Sequence, residues 1–144
     1  QEFRRVLFRS VFSYPYAKTR AALDKLRSAS NVHACHGVKM QYTNPATGGP
    51  AMPTMGAFIQ WLPQGFCGAA YRSTDATVYC VVEGKGVSHI DGKAYEWSPH
   101  DVFVVPSWAT VRHEAGAESV LFSFSDRPAQ KALGLWREEA PVSQ

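Results

Sequence analysis

The sequence predicts an all-β domain, an antiparallel sandwich or closed barrel flanked by a short helix at each end. Two observations carry this. From Met55 onward, short β-branched and aromatic runs recur at regular spacing, separated by Gly, Pro, Asn or Asp turn chemistry. Outside that region, two stretches have helix-forming composition, one after Pro15 and one after Asp126.

Residues 16–27 are rich in Ala, Leu, Lys and Arg, which predicts a helix from Tyr16 to Arg27 with Ala22, Leu23 and Leu26 as its apolar stripe. Asn31 to Met40 reads as a loop. Asn44 to Met55, N-P-A-T-G-G-P-A-M-P-T-M, is too rich in Gly and Pro for a regular element, so it crosses the surface in extended form. Met55 to Leu62 is an apolar run of strand length ended by Pro63-Gln64-Gly65. Thr77 to Val82 is β-branched and aromatic, a buried strand, and Glu83 to Gly86 turns the chain. Val87 to Ile90 and Lys93 to Trp97 form a hairpin around Asp91-Gly92, two residues that tolerate positive φ. Val102 to Val105 reads as another buried strand, stopped by Pro106, and Ser119 to Phe124 is the last. Asp126 is a candidate cap and Pro128 suits a first turn, so a helix runs over Ala129 to Glu138, anchored by Leu133 and Trp136.

With 144 residues and 45% hydrophobic content, the chain can bury a core. Lys and Arg exceed Asp and Glu by only 15 to 12, a net charge of +3, which argues against nucleic acid as a partner. No apolar run is long enough to span a membrane. Cys35, Cys67 and Cys80 are an odd count without a close pair. A disulfide scaffold is not expected, Cys67 and Cys80 read as buried, inert thiols, and a cytoplasmic location follows from reduced cysteines with no secretory signal pattern. Arg4, Arg5 and Arg9 against Glu2 put most of the basic excess in the first residues, and residues 1–12 read as a non-native or unstructured leader. The expected organisation is then helix and extended linker arm over 13–54, barrel over 55–126, and C-terminal helix and tail over 127–144.

Gly65, Tyr71, Ser73, Thr77 and Gly84 have the spacing of the first cupin motif, with Tyr71, Ser73 and Thr77 standing where the family places His, His and Glu. Pro106, Trp108 and Val111 have the spacing of the second motif, with Val111 at the position of its His. The chain therefore resembles a cupin, which implies a double-stranded β-helix, a jelly-roll-like barrel. N-P-A-T-G-G-P-A-M-P-T, Y-R-S-T-D, V-V-E-G-K-G, D-V-F-V-V-P-S-W-A and L-F-S-F-S-D-R-P together resemble the C-terminal half of gentisate 1,2-dioxygenases, two-cupin ring-cleaving enzymes. The resemblance implies a parent protein that opens a hydroxybenzoate ring with O2 and Fe(II), the iron held by histidines of an N-terminal cupin that lies outside this chain. It also implies that this N-terminal half is a partner and that the protein is a homo-oligomer.

Residue chemistry in this chain points away from metal. Val111 cannot ligate, Ser73 and Thr77 are neutral hydroxyls, and Tyr71 alone, even as a phenolate, does not make an iron site. The expectation is no metal and no cofactor here, with these four positions filling the cavity. His113, two residues beyond Val111 on the same strand face, is a candidate for the cavity mouth. His33 and His36, around Cys35 in a loop, lack the further ligands of a dedicated site, and His89 and His100 read as surface positions. By strand alternation Arg72 and Arg112 point outward, as exterior ion pairs or a carboxylate clamp. Three readings stay open: a metal-free supporting cupin of a ring-cleaving dioxygenase, which fits best; a stand-alone cupin that binds a small aromatic acid without catalysis; and a single-cupin dioxygenase with an unusual iron site.

Overall fold

The computed structural model describes residues 13–141, so the leader expected over residues 1–12 lies outside the described residues. Helix α1 (Tyr16–Ala29) is followed by β1 (Val38–Gln41), β2 (Gly56–Leu62), the short β3 (Arg72–Ser73), β4 (Thr77–Glu83), β5 (Gly86–Ile90), β6 (Lys93–Trp97), β7 (Val102–Val105), β8 (Val111–Ala115) and β9 (Ser119–Ser125). Helix α2 (Arg127–Ala132) and the two-residue β10 (Glu138–Glu139) close the described chain. No helix among the described residues is long and apolar enough to cross a membrane.

The strands form a five-stranded sheet in the order β1-β2-β9-β4-β7, a three-stranded sheet in the order β6-β5-β8, and a ribbon of β10 with β3. Every strand pair is antiparallel. The two larger sheets share one core: Leu62, Tyr79, Val81, Val105 and Leu121 from the first meet Ile90, Trp97, Val111 and Ala115 from the second. Strand alternation produces this, because residues two apart stand on one face. β4 and β8 show it directly, with inward Thr77, Tyr79, Val81 and Val111, His113, Ala115 buried and their neighbours only partly so. This is an antiparallel barrel, as the strand spacing predicts, in the jelly-roll-like form that the cupin resemblance implies.

The outer face of the large sheet carries a second cluster, in which α1 seats Leu23 against Val38, Ile59 and Val120. Burying a leucine there contributes about 2 kcal/mol. Arg20 and Arg27 hold the helix further, reaching Glu118 at 2.7 and 3.0 Å. Gly86 takes no side chain because a Cβ would stand 2.2 Å from the Glu114 carbonyl and 2.6 Å from the Trp97 ring.

Several local expectations are corrected. Val38–Gln41 is a strand inside the stretch that reads as a loop, and its alternation runs polar side inward: Val38 and Met40 pack outward toward α1, while Lys39 and Gln41 share the inner face with Gln60 and Phe58. Thr19, Leu23 and Leu26 make the covered helix stripe, and Ala22 is exposed. Val102 and Val104 are 62% and 53% exposed, because β7 is an edge strand whose outer side has nothing packed on it. The C-terminal helix stops at Ala132, where Gly134 adopts φ 71° and turns the chain. That leaves Leu133 73% exposed. Asp126 occupies the N-cap position, but its carboxylate accepts from the Ala76 amide and the Gln130 side chain, and no side-chain cap bond forms.

Candidate functional site

A chain of hydrogen bonds runs through the barrel interior. Antiparallel bonds between Tyr71 and Val111 (3.0 and 2.8 Å) bring these two positions together, and His113 lies one inward step along β8. Trp97 Nε1 donates to Ser88 Oγ at 2.9 Å. Ser88 Oγ is 2.8 Å from His113 Nδ1, His113 Nε2 is 3.1 Å from the Tyr71 hydroxyl, and that hydroxyl is 2.8 Å from the hydroxyl of Tyr79. An indole nitrogen only donates, so Ser88 Oγ accepts from Trp97. With the imidazole proton on Nε2 the other links run one way, Ser88 donating to Nδ1, Nε2 to Tyr71 and Tyr71 to Tyr79; with the proton on Nδ1 they run the other way.

All five side chains are buried, and His113 is fully so. His113 therefore stands inside the barrel, not at an open mouth. Burial, reinforced by the positive charge of Lys39, pushes its imidazole from 6.5 down to about 3. Burial also pushes the Tyr79 phenol up to about 12 and raises Tyr71 well above its usual range. The network is uncharged at neutral pH, and none of its groups changes protonation there. That is the opposite of a general base poised near its working pH.

Ser73 and Thr77 stand apart from this network. Ser73 pairs through β3 with Glu138, and its carbonyl accepts from the Trp108 amide. Thr77 lies between Val105 and Ser125 in the large sheet. Their neighbour is Asp75, 2% exposed, which accepts from Trp136 Nε1 at 3.0 Å and from Arg127 Nε at 3.4 Å. Burial pushes the Asp75 carboxyl up, but Arg127 and the bonds from Ser73, Trp136 and Ser125 outweigh it and hold the group below the usual carboxylate value.

His36 packs beside Tyr71 at the barrel, with the exposed His33 outside it. Their rings stack at 5.0 Å, and His36 sets its edge on Tyr71 at 4.3 Å. His33 Nδ1 already accepts from the amides of Cys35 and His36, and His36 Nε2 lies 3.4 Å from Glu138. His36 is pushed from 6.5 to about 2, first by burial and then by Lys39. His100 is exposed and His89 half-buried. Arg72 pairs with Glu139 at 2.6 Å and stacks on Trp108, and Arg112 pairs with Glu114 at 2.9 Å, so both are exterior ion pairs. Cys67 is exposed, contrary to expectation, with Sγ 3.7 Å from Arg112 and 3.8 Å from Glu114, because it sits on the connection before β3 and not in a strand; Cys80 is half-buried.

The family resemblance implies iron, and the donor set does not fit it. Val111 offers hydrocarbon, Tyr71 is a protonated phenol tied to two neighbours, and both His113 nitrogens are engaged. Among the described residues, no three His, Cys, Asp or Glu side chains gather closely enough to hold a metal ion. The sequence signal that would have added Tyr79, Ser88 and Trp97 is strand alternation: each lies at an inward position of its strand, Ser88 two residues from the buried Ile90.

No protein-family model matches the chain. Curated relatives do. Gentisate 1,2 dioxygenase 1 of Aquipseudomonas alcaligenes is 53% identical over 128 residues, covering 89% of this chain and 37% of that protein. The 5-aminosalicylate 1,2-dioxygenase of a Comamonas species is 41% identical over 132 residues, 90% of this chain and 35% of the relative. Among solved structures, salicylate 1,2-dioxygenase from Pseudoaminobacter salicylatoxidans, with gentisate, superposes with a TM-score of 0.82 at 32% identity, over 88% of this chain and 36% of that one. An RmlC-like cupin from Shewanella frigidimarina, at 18% identity and a TM-score of 0.56, shares the fold alone. The chain thus spans little more than a third of the length of the dioxygenases it matches.

Proposed function

We propose, for a chain that matches the C-terminal cupin domain of the gentisate 1,2-dioxygenase family, that it is the metal-free barrel of a longer ring-cleaving enzyme. Its task is to support the catalytic half and the oligomer. The parent reaction is O2-dependent opening of a hydroxybenzoate ring, and Fe(II) for it is held by the N-terminal cupin. The observation that carries this reading is the neutral chain from Trp97 to Tyr79, which ties Ser88, both His113 nitrogens and the hydroxyls of Tyr71 and Tyr79 to one another. Groups locked into one another hold a scaffold in a single arrangement. They leave neither His113 nitrogen free for a cation and no group among them that titrates at working pH.

A chimera tests this. Residues 13–141 replace the matching segment of the Aquipseudomonas alcaligenes dioxygenase, whose own N-terminal half is retained. The chimera should fold, load iron to the parent level and cleave gentisate, while this chain alone cleaves none. A folded, iron-loaded chimera without turnover, or turnover by this chain alone, would contradict the proposal.

A further inference from the structure

We infer that the inner face of β1, β2 and β9 is a binding site for a small carboxylate, held by Lys39, Gln60 and Ser123. The register brings these three together. Lys39 stands directly opposite Gln60 across the β1–β2 pair, and Ser123 stands opposite Phe58, the next inward residue of β2. Gln60 and Ser123 are fully buried. Among the described residues, neither amide atom of Gln60 nor the Ser123 hydroxyl has a hydrogen-bond partner. An unpartnered buried amide carries its desolvation penalty uncompensated, and this face holds one beside an unpartnered hydroxyl.

Charge distinguishes the site from an ordinary polar gap. Lys39 forms no ion pair among the described residues. Its ammonium lies 4.8 Å from the centroid of Phe58, whose ring also carries the Arg127 guanidinium at 5.1 Å. The buried carboxylate among the described residues, Asp75, is taken by Arg127 and Trp136. Burial, then Arg127, pushes Lys39 from 10.5 down to about 8, so it still holds its proton at neutral pH. Three donors meet on this face, the Lys39 ammonium, Gln60 Nε2 and the Ser123 hydroxyl, beside one acceptor, Gln60 Oε1. A carboxylate supplies two oxygens and one negative charge for these donors, and the ammonium has N–H groups to spare for Gln60 Oε1; a water molecule supplies no charge. Gln41, Phe58, Arg127 and Lys131 line an outer pocket of about 160 Å³ at the same end. Its two cations draw anions toward Phe58, the residue it shares with the inner face.

The test uses this chain with acetate, benzoate and the matching neutral amides, read by thermal unfolding at constant ionic strength. At about ten times its dissociation constant, an acid should raise Tm by about 3–6 °C, and the amides should leave it unchanged. Lys39→Met should abolish the response. Gln60→Glu, nearly the same shape, places a carboxylate beside Lys39 covalently; it should raise Tm without ligand and remove the response to added acid. The inference is overturned if neither acid shifts Tm, if the amides act equally, if Lys39→Met responds like the parent, or if Gln60→Glu lowers Tm. Iron binding by the chain would sink the metal-free reading and leave this one standing.

Discussion

Between pH 6.5 and pH 3 the domain is expected to lose stability steeply, on a histidine that packs against no solvent. His113 has an ordinary pKa of 6.5 when unfolded and about 3 when folded. A depressed folded value means that the unfolded chain binds the proton more readily, so the stabilisation is complete above 6.5 and drains as pH falls toward 3. The slope for this one group is about 1.4 kcal/mol per pH unit, and the whole span is on the order of 5 kcal/mol. His36, depressed to about 2 by the same burial and the same lysine, acts in the same direction. Domains of this size hold only about 5–15 kcal/mol in total, so unfolding should precede full titration. Urea midpoints at pH 7, 5 and 4 measure the slope. His113→Gln, which offers one donor and one acceptor in its place, should give a shallower one. Equal midpoints at pH 7 and pH 4 would show that His113 is not held neutral by burial.

Asp75→Ala should cost about 3–5 kcal/mol, the range for removing one member of a buried charged pair. Asp75 joins the turn between β3 and β4 to α2 through Arg127 and to the following segment through Trp136. Without it, a half-buried guanidinium and an indole N–H lose their acceptor, and no interaction offsets their desolvation. Asp75→Asn keeps a carbonyl for Trp136 and should recover part of the loss. Urea denaturation of the three proteins reads the order wild type, Asn, Ala. A loss below about 1 kcal/mol for Asp75→Ala would place the anchoring of α2 elsewhere, in the Phe58 and Trp136 stacking of Arg127.

Much of the fold was legible in local chemistry. Asp91-Gly92 marks a hairpin because its backbone needs φ of 48° and 80°, and the inward positions of β4 and β8 follow from a period of two. What stayed hidden was hidden for a physical reason. An apolar run such as Val102–Val105 does not reveal whether a second layer covers it, since that depends on sheet order; β7 turned out to lie at an edge. β1 is four residues long, and its polar side faces in, so hydrophobic alternation points to the wrong face unless α1 is known to cover the other. The spacing of Tyr71 and Val111 identified two facing positions of the candidate site. It missed Ser88, Trp97 and Tyr79, whose contribution is a set of contacts between strands far apart in sequence.

Iron stoichiometry tests the central claim most directly. The purified chain is titrated anaerobically with Fe(II) and desalted, and its bound iron and its gentisate-dependent O2 uptake are measured. A barrel whose ligand end is closed by Trp97, Ser88, His113, Tyr71 and Tyr79 should retain far less than one iron per chain and consume no O2. One tightly held iron per chain, with O2 consumed when gentisate is added, would contradict it.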